Sequence, residues 1–255
     1  MPREVTLTPL SGIKMVEPGD DLGGITIAAL RDNSLVPEDG DVLVVAQKIV
    51  SKAERRYVDV ATVRPSERAI ALAAEVDKDP RFVEVVLSEA TRVVRHRPGL
   101  LIVEHRLGFV LANAGIDHSN VAAQDDGERV LLLPVDPDGS AHTLRQRLMD
   151  VFGVGIGIII SDSFGRPWRK GTVGVAIGAA GLPAFVDLRG QPDLFGRELL
   201  VTETGFADEI AAAAGLLMGQ ADEAIPIVLV RGLAWSAPDQ PAAALVRPAE
   251  HDLFR

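Results

Sequence analysis

Short unbroken apolar runs alternate along the chain with longer stretches in which apolar residues recur every three or four positions. The unbroken runs at 41–46 (DVLVVA), 100–103 (LLIV), 130–133 (VLLL), 158–160 (III) and 227–230 (IVLV) predict strands. Helical periodicity predicts helices over 66–76, 80–95, 140–152 and 207–218. Ser140 is the expected N-cap of the third helix, with Leu144 and Leu148 on its inner face and Gly153 at its C-terminal end. The preceding Asp136-Pro137-Asp138-Gly139 reads as a turn, and 238–241 reads as a short surface loop. The interleaving gives a mixed α/β (α+β) chain. There is no composition shift or internal repeat, so one domain is expected over 1–245, followed by a polar tail at 246–255.

Composition narrows the function classes. The chain has 255 residues, 47% hydrophobic and 24% charged, as in ordinary globular proteins. It has no cysteine, which removes thiolate nucleophiles, disulfides and thiolate metal sites, so any metal must be held by oxygen or imidazole. The net charge of −10 argues against a nucleic-acid partner. The apolar runs at 153–160 and 225–230 are far shorter than the ~20 residues of a membrane-spanning helix. The N-terminal residues carry no apolar signal core, so a cytoplasmic protein without a membrane role is expected.

Four stretches could carry chemistry. Ser161-Asp162-Ser163 follows a buried strand, where a carboxylate and a hydroxyl can reach a divalent cation, and Arg166, Arg169 and Lys170 follow as cations suited to phosphate. Asp162 could equally be a turn former with solvated basic neighbours. The segment 112–121 offers Asp117 and Asn120 among small residues, as a second metal or nucleotide edge or as an Asx-rich loop; its lone His118 reads as a loop residue. Lys48 and Lys52, four apart after another apolar strand, would share a helical face and favour an anion between them, although a solvated basic face explains them as well. At 217–226, Gly219 suits a helix C-terminus and Gln220 adds an amide oxygen. The glycines at 153, 155 and 157 precede a strand instead of opening a helix, and there is no GxxxxGK[ST] loop, so no dinucleotide fingerprint or P-loop is expected.

Taken in order, the motifs GDDL (19–22), QKIVSK (47–52), NAGIDHSN (113–120) and SDSFGRPWRKG (161–171) resemble the coenzyme F420-0:L-glutamate ligase family. LLPVDPDGSA (132–141), ADEIAAAA (207–214) and MGQ (218–220) extend the resemblance over nearly the whole chain, in the stand-alone form without the nitroreductase-like domain of some relatives. The resemblance implies a GTP-dependent ligase that adds L-glutamate to F420-0, often more than once, with two divalent cations (Mn²⁺ or Mg²⁺) and K⁺, and a family fold in an intertwined homodimer. It implies one metal on Asp117 and Asp162, and a second touched by Ser163, where relatives often have threonine, and Gln220. It also implies GTP surrounded by Ile13, Lys14, Met15, Val16, Gln47, Lys52, Asn120 and the loop Met218, Gly219, Gln220, Ala221, Asp222, Glu223, Ala224 and Ile225. Lys52, Arg166 and Arg169 are the expected phosphate and carboxylate clamps. The expected chemistry is phosphoryl transfer to a substrate carboxylate, then attack by the glutamate amine. The competing readings are a metal-dependent phosphohydrolase and a nucleotide-binding subunit without turnover.

Overall fold

The computed structural model describes residues 4–117 and 129–253. In chain order the elements are β1 (Thr6–Pro9), α1 (Leu22–Asp32), β2 (Val42–Ala46), α2 (Gln47–Ala53), β3 (Tyr57–Asp59), α3 (Glu67–Val76), α4 (Pro80–Ser88), β4 (Ala90–Arg97), β5 (Leu100–His105), β6 (Val110–Ala112) and β7 (Arg129–Leu131). They continue with α5 (Pro137–Phe152), β8 (Gly157–Arg166), β9 (Arg169–Ala180), β10 (Val186–Asp187), β11 (Glu203–Thr204), α6 (Phe206–Met218) and β12 (Ile227–Arg231).

The three apolar runs VLVVA, GIIIS and IVLVR become the centre of a five-stranded sheet ordered β1-β12-β2-β8-β9, in which β2 and β8 are parallel and the other pairs antiparallel. Side chains alternate across a strand, so each run feeds two cores. Leu43, Val45, Ile158 and Ile160 meet α1, α2 and α5 on one face, whereas Val42, Val44 and Ile159 meet α6 on the other. Helix α6 approaches β9 so closely that a Cβ at Gly174 would lie 2.5 Å from the Ala211 carbonyl oxygen, and α5 does the same at Gly178, 2.3 Å from the Pro137 oxygen. A third core gathers α3, α4, β4, β5 and β7.

The helix expected over 80–95 ends at Ser88, and Ala90–Arg97 is instead a strand paired with β5. The helical face of Phe82, Val83, Val85 and Val86 is exhausted there, and the Val93-Val94 pair is β-branched. The expected turn at 136–139 is the first turn of α5, with Asp136 as N-cap accepting from the Gly139 N–H and Pro137 at the first helical position. Ser140 therefore lies inside the helix; Gly153 ends it in the left-handed conformation, as expected. The strand expected at 158–160 runs on to Arg166, because its polar second half pairs with β9 in one long hairpin. Asp162 and Ser163 thus sit within a strand and not at its end.

Candidate active site

The site begins where β2 passes directly into α2. Ile49 and Val50 hold this short helix to the core, which leaves Gln47, Lys48, Ser51 and Lys52 on its remaining surface. Gln47 and Ser51 are four apart, and the Ser51 hydroxyl donates to Gln47 Oε1 at 2.8 Å. The Gln47 Nε2 then donates to Asp117 Oδ2 at 2.7 Å, an orientation that the acceptor-only carboxylate requires. Lys48 Nζ lies 3.3 Å from the other carboxylate oxygen, Oδ1. Asp117 is itself fixed by two backbone hydrogen bonds of 2.9 Å to Leu131, beyond a tight turn at Asn113–Gly115.

Asp162 leaves β8 on the face of Ile158 and Ile160, towards Asp117 and Lys48, and Phe164 two residues on stands edge-to-face on Phe109 with ring centres 5.7 Å apart. Burial, and after it the neighbouring Asp117 carboxylate, push the Asp162 carboxyl up to about 7; the Ser163 N–H (2.7 Å) and Lys48 oppose this without cancelling it. Lys52 is buried, its ammonium 3.2 Å from the Met15 sulfur. Burial and then the like charge of Lys48 lower its basicity.

Ser163, next along the strand, faces the other way and accepts a hydrogen bond of 2.9 Å from Gln220 Nε2. Gln220 belongs to the loop after α6, which folds around Glu223: a Cβ at Gly219 (φ +69°) would collide with that carboxylate, which accepts from the Ala221 N–H at 2.8 Å. Backbone hydrogen bonds hold the exposed Glu223 carboxyl below its usual range. Asp222 and Ala224 are exposed, while Met218 and Ile225 pack against the α6 core. In the other expected nucleotide segment, Val16 is buried, Ile13 packs on the core, and Lys14 and Met15 are exposed.

The structure thus brings together Gln47, Lys48, Asp117 and Asp162 in one group and Ser163 with Gln220 in another, on opposite faces of β8. It does not bring Arg166 and Arg169 to either. Both are exposed at the hairpin end, four or more residues beyond Asp162, about 13 Å along an extended strand. Asn120 and His118 lie outside the described residues. A cavity of about 660 Å³ opens on a different face of α2, between Leu22, Val50, Glu54, Ser140 and Arg147, and no residue of the carboxylate site lines it.

One ionic cluster had no counterpart in the sequence reading. Glu89 is contacted by Arg56 (3.0 Å), Arg106 (3.2 Å) and the fully buried His105 (3.4 Å). The two arginines also donate to the carbonyls of Leu133, Pro134 and Val135, tying the third core to the start of α5. No local pattern marks this cluster, because the partners of Glu89 lie up to 33 residues from it in sequence. The Ser51 contact did have a signal: its spacing of four from Gln47.

The donor set suits a divalent cation. Among the described residues no three acidic or histidine side chains cluster, so the chain offers two carboxylates with hydroxyl and amide oxygens beside them. Hard cations that keep water and bind substrate phosphates need one or two carboxylates, and burial together with the neighbouring Asp117 carboxylate raises the Asp162 carboxyl to about 7, a cost to its charged form that a bound cation would offset. In its chemistry the arrangement is that of a candidate enzyme site able to receive a cation and, through Lys48 and Lys52, an anion.

The sequence profile described as F420-0:Gamma-glutamyl ligase matches residues 12–232. Proteins named coenzyme F420:L-glutamate ligase are similar over nearly their full length. The one from Methanothermobacter thermautotrophicus is 44% identical over 253 residues, covering 98% of this chain and 99% of that protein. Those from Methanopyrus kandleri (46% over 254 residues; 98% and 97%) and Archaeoglobus fulgidus (44% over 251; 98% and 96%) are comparable. The chain belongs to the F420-0:gamma-glutamyl ligase family, and it is a ligase. The relatives lend no support to the phosphohydrolase reading. No helix among the described residues is long and apolar enough to cross a membrane.

Proposed function

We propose that the enzyme joins L-glutamate to coenzyme F420-0 and then to its own products as successive γ-glutamyl units, using GTP, two divalent cations (Mn²⁺ or Mg²⁺) and K⁺, as a homodimer. The observation that carries this reading is the convergence of Asp117, Asp162 and Lys48, with Lys52 close by, in a chain of the ligase family.

A carboxylate does not expel oxide, so amide formation requires a better leaving group. A carboxylate oxygen of F420-0 attacks the γ-phosphorus of GTP; the bond to the β-phosphate oxygen breaks and GDP departs with that electron pair. The glutamate amine then attacks the acyl carbon of the acyl phosphate, inorganic phosphate leaves, and the ammonium formed loses a proton. Divalent cations, when bound, neutralise phosphate oxygens and align donor with acceptor. Asp117 and Asp162 would hold one of them, and Ser163 and Gln220 would supply oxygens towards the other. Lys52 and Lys48, whose mutual repulsion an anion between them relieves, hold phosphate oxygens. Arg166 and Arg169, at the hairpin end, meet a more distant anionic group. No protein nucleophile takes part, in keeping with a chain that has no cysteine.

Mass spectrometry of F420-0 incubated with enzyme, L-glutamate, GTP and Mn²⁺ tests this. Products heavier by whole glutamyl units, absent when any one component is omitted, are expected. GTP hydrolysis with unchanged F420-0 would overturn the proposal.

A further inference from the structure

Asp117 has both carboxylate oxygens engaged, Oδ2 by the uncharged Gln47 amide at 2.7 Å and Oδ1 by the Lys48 ammonium at 3.3 Å. The two contacts differ in kind. An amide N–H adds no net charge and is compatible with a metal on the same carboxylate. An ammonium beside Asp117 and within the field of Asp162 occupies the electrostatic position that a divalent cation would take. With 30% and 22% of their side chains exposed, Lys48 and Asp117 are partly desolvated, so the coupling exceeds that of a surface pair. Lysine has a flexible stem that can carry its charge elsewhere, and the next row of α2 offers Lys52, beside which an anion would be welcomed.

We propose that Lys48 is an exchangeable counter-ion: its ammonium balances Asp117 and Asp162 when no divalent cation is bound, and the incoming cation must displace it. Lys48 therefore weakens metal binding in the absence of nucleotide. This makes metal occupancy conditional on a second anion, such as a nucleotide phosphate, that gives the displaced ammonium a new partner. The inference rests on the reading of Asp117 and Asp162 as a cation site. It runs opposite to a purely structural role, in which Lys48 would hold Asp117 in place and its loss would weaken metal binding.

The test is titration of Mn²⁺ alone into the metal-free enzyme at pH 8, with free Mn²⁺ followed by electron paramagnetic resonance, for wild type, Lys48→Met, Lys48→Gln and Lys48→Arg. Both neutral variants are expected to bind Mn²⁺ about tenfold more tightly than wild type, and Lys48→Arg no more tightly. Metal-free Lys48→Met is also expected to melt below wild type, a gap that saturating Mn²⁺ closes. Two neutral variants guard against one failing to fold. Equal or weaker Mn²⁺ binding in the neutral variants would overturn the role of Lys48 while leaving the cation site intact. No Mn²⁺ uptake by wild type or by either neutral variant would overturn both.

Discussion

The carboxylate pair beside α2 and the Glu89 cluster both set buried carboxyls beside cationic side chains, yet the Asp162 carboxyl, the more deeply buried, and the Glu89 carboxyl are shifted in opposite directions. At Glu89, burial alone would raise the carboxyl, but His105, Arg56 and Arg106 outweigh it and hold it at about 2. At Asp162, burial and a second carboxylate prevail and the carboxyl rises to about 7. One carboxylate facing two guanidiniums and an imidazole is a satisfied junction. Two neighbouring carboxylates, one of them paired with the Lys48 ammonium among the described residues, form a site whose charged state a cation would favour. Perturbed acids point to function when the perturbation is unfavourable to the charged form, and to architecture when it is favourable.

The largest effect that separates the two regions is on turnover. Asp162→Asn and Asp117→Asn are expected to lower kcat by at least about a hundredfold without unfolding the protein, in assays of glutamyl addition at saturating Mn²⁺. Glu89→Gln should do the reverse, lowering stability by about 3 kcal/mol in urea melts because two guanidiniums lose their counter-charge, while Mn²⁺ binding persists. Its pH dependence has a definite sign. The Glu89 carboxyl is depressed in the folded state, so its stabilisation is present above the ordinary glutamate value of about 4.5 and is lost as pH falls towards 2. Wild type should therefore lose stability over that acid range and Glu89→Gln should lose less. The smallest effects belong to the hairpin end: Arg166→Ala and Arg169→Ala are expected to change stability by less than about 0.5 kcal/mol and leave Mn²⁺ affinity unaltered, raising only the KM of a substrate.

What could be read in the sequence follows the range of the forces involved. The strands at the centre of the sheet and the helices α3, α5 and α6 announce themselves by local apolar period. The polar half of β8 does not, since residues 161–166 are strand only by virtue of β9 across the hairpin. Asp136-Pro137 could not be settled locally either, because the same residues open turns and cap helices. For the site, residue type and placement after apolar strands singled out Lys48, Lys52 and Asp162. The meeting of Gln47 with Asp117, 70 residues apart, is a product of the fold, as is the Glu89 cluster. The two faces of β8 that separate Asp162 from Ser163 became visible only once both residues were seen to lie inside a strand.

The most direct measurement is the number of protons released per Mn²⁺ bound, followed across pH in wild type and Asp162→Asn. The Asp162 carboxyl is raised above the ordinary value of about 3.8, so it is protonated in the metal-free protein below about pH 7 and ionised above it, and a cation binding there must expel the proton. Wild type should release close to one proton per Mn²⁺ near pH 6 and almost none by pH 9, with affinity falling as pH drops through 7, and Asp162→Asn should show no such release. Mn²⁺ uptake in wild type without proton release at pH 6, or a release that survives in Asp162→Asn, would contradict the assignment of the unbalanced carboxylate pair as the cation site.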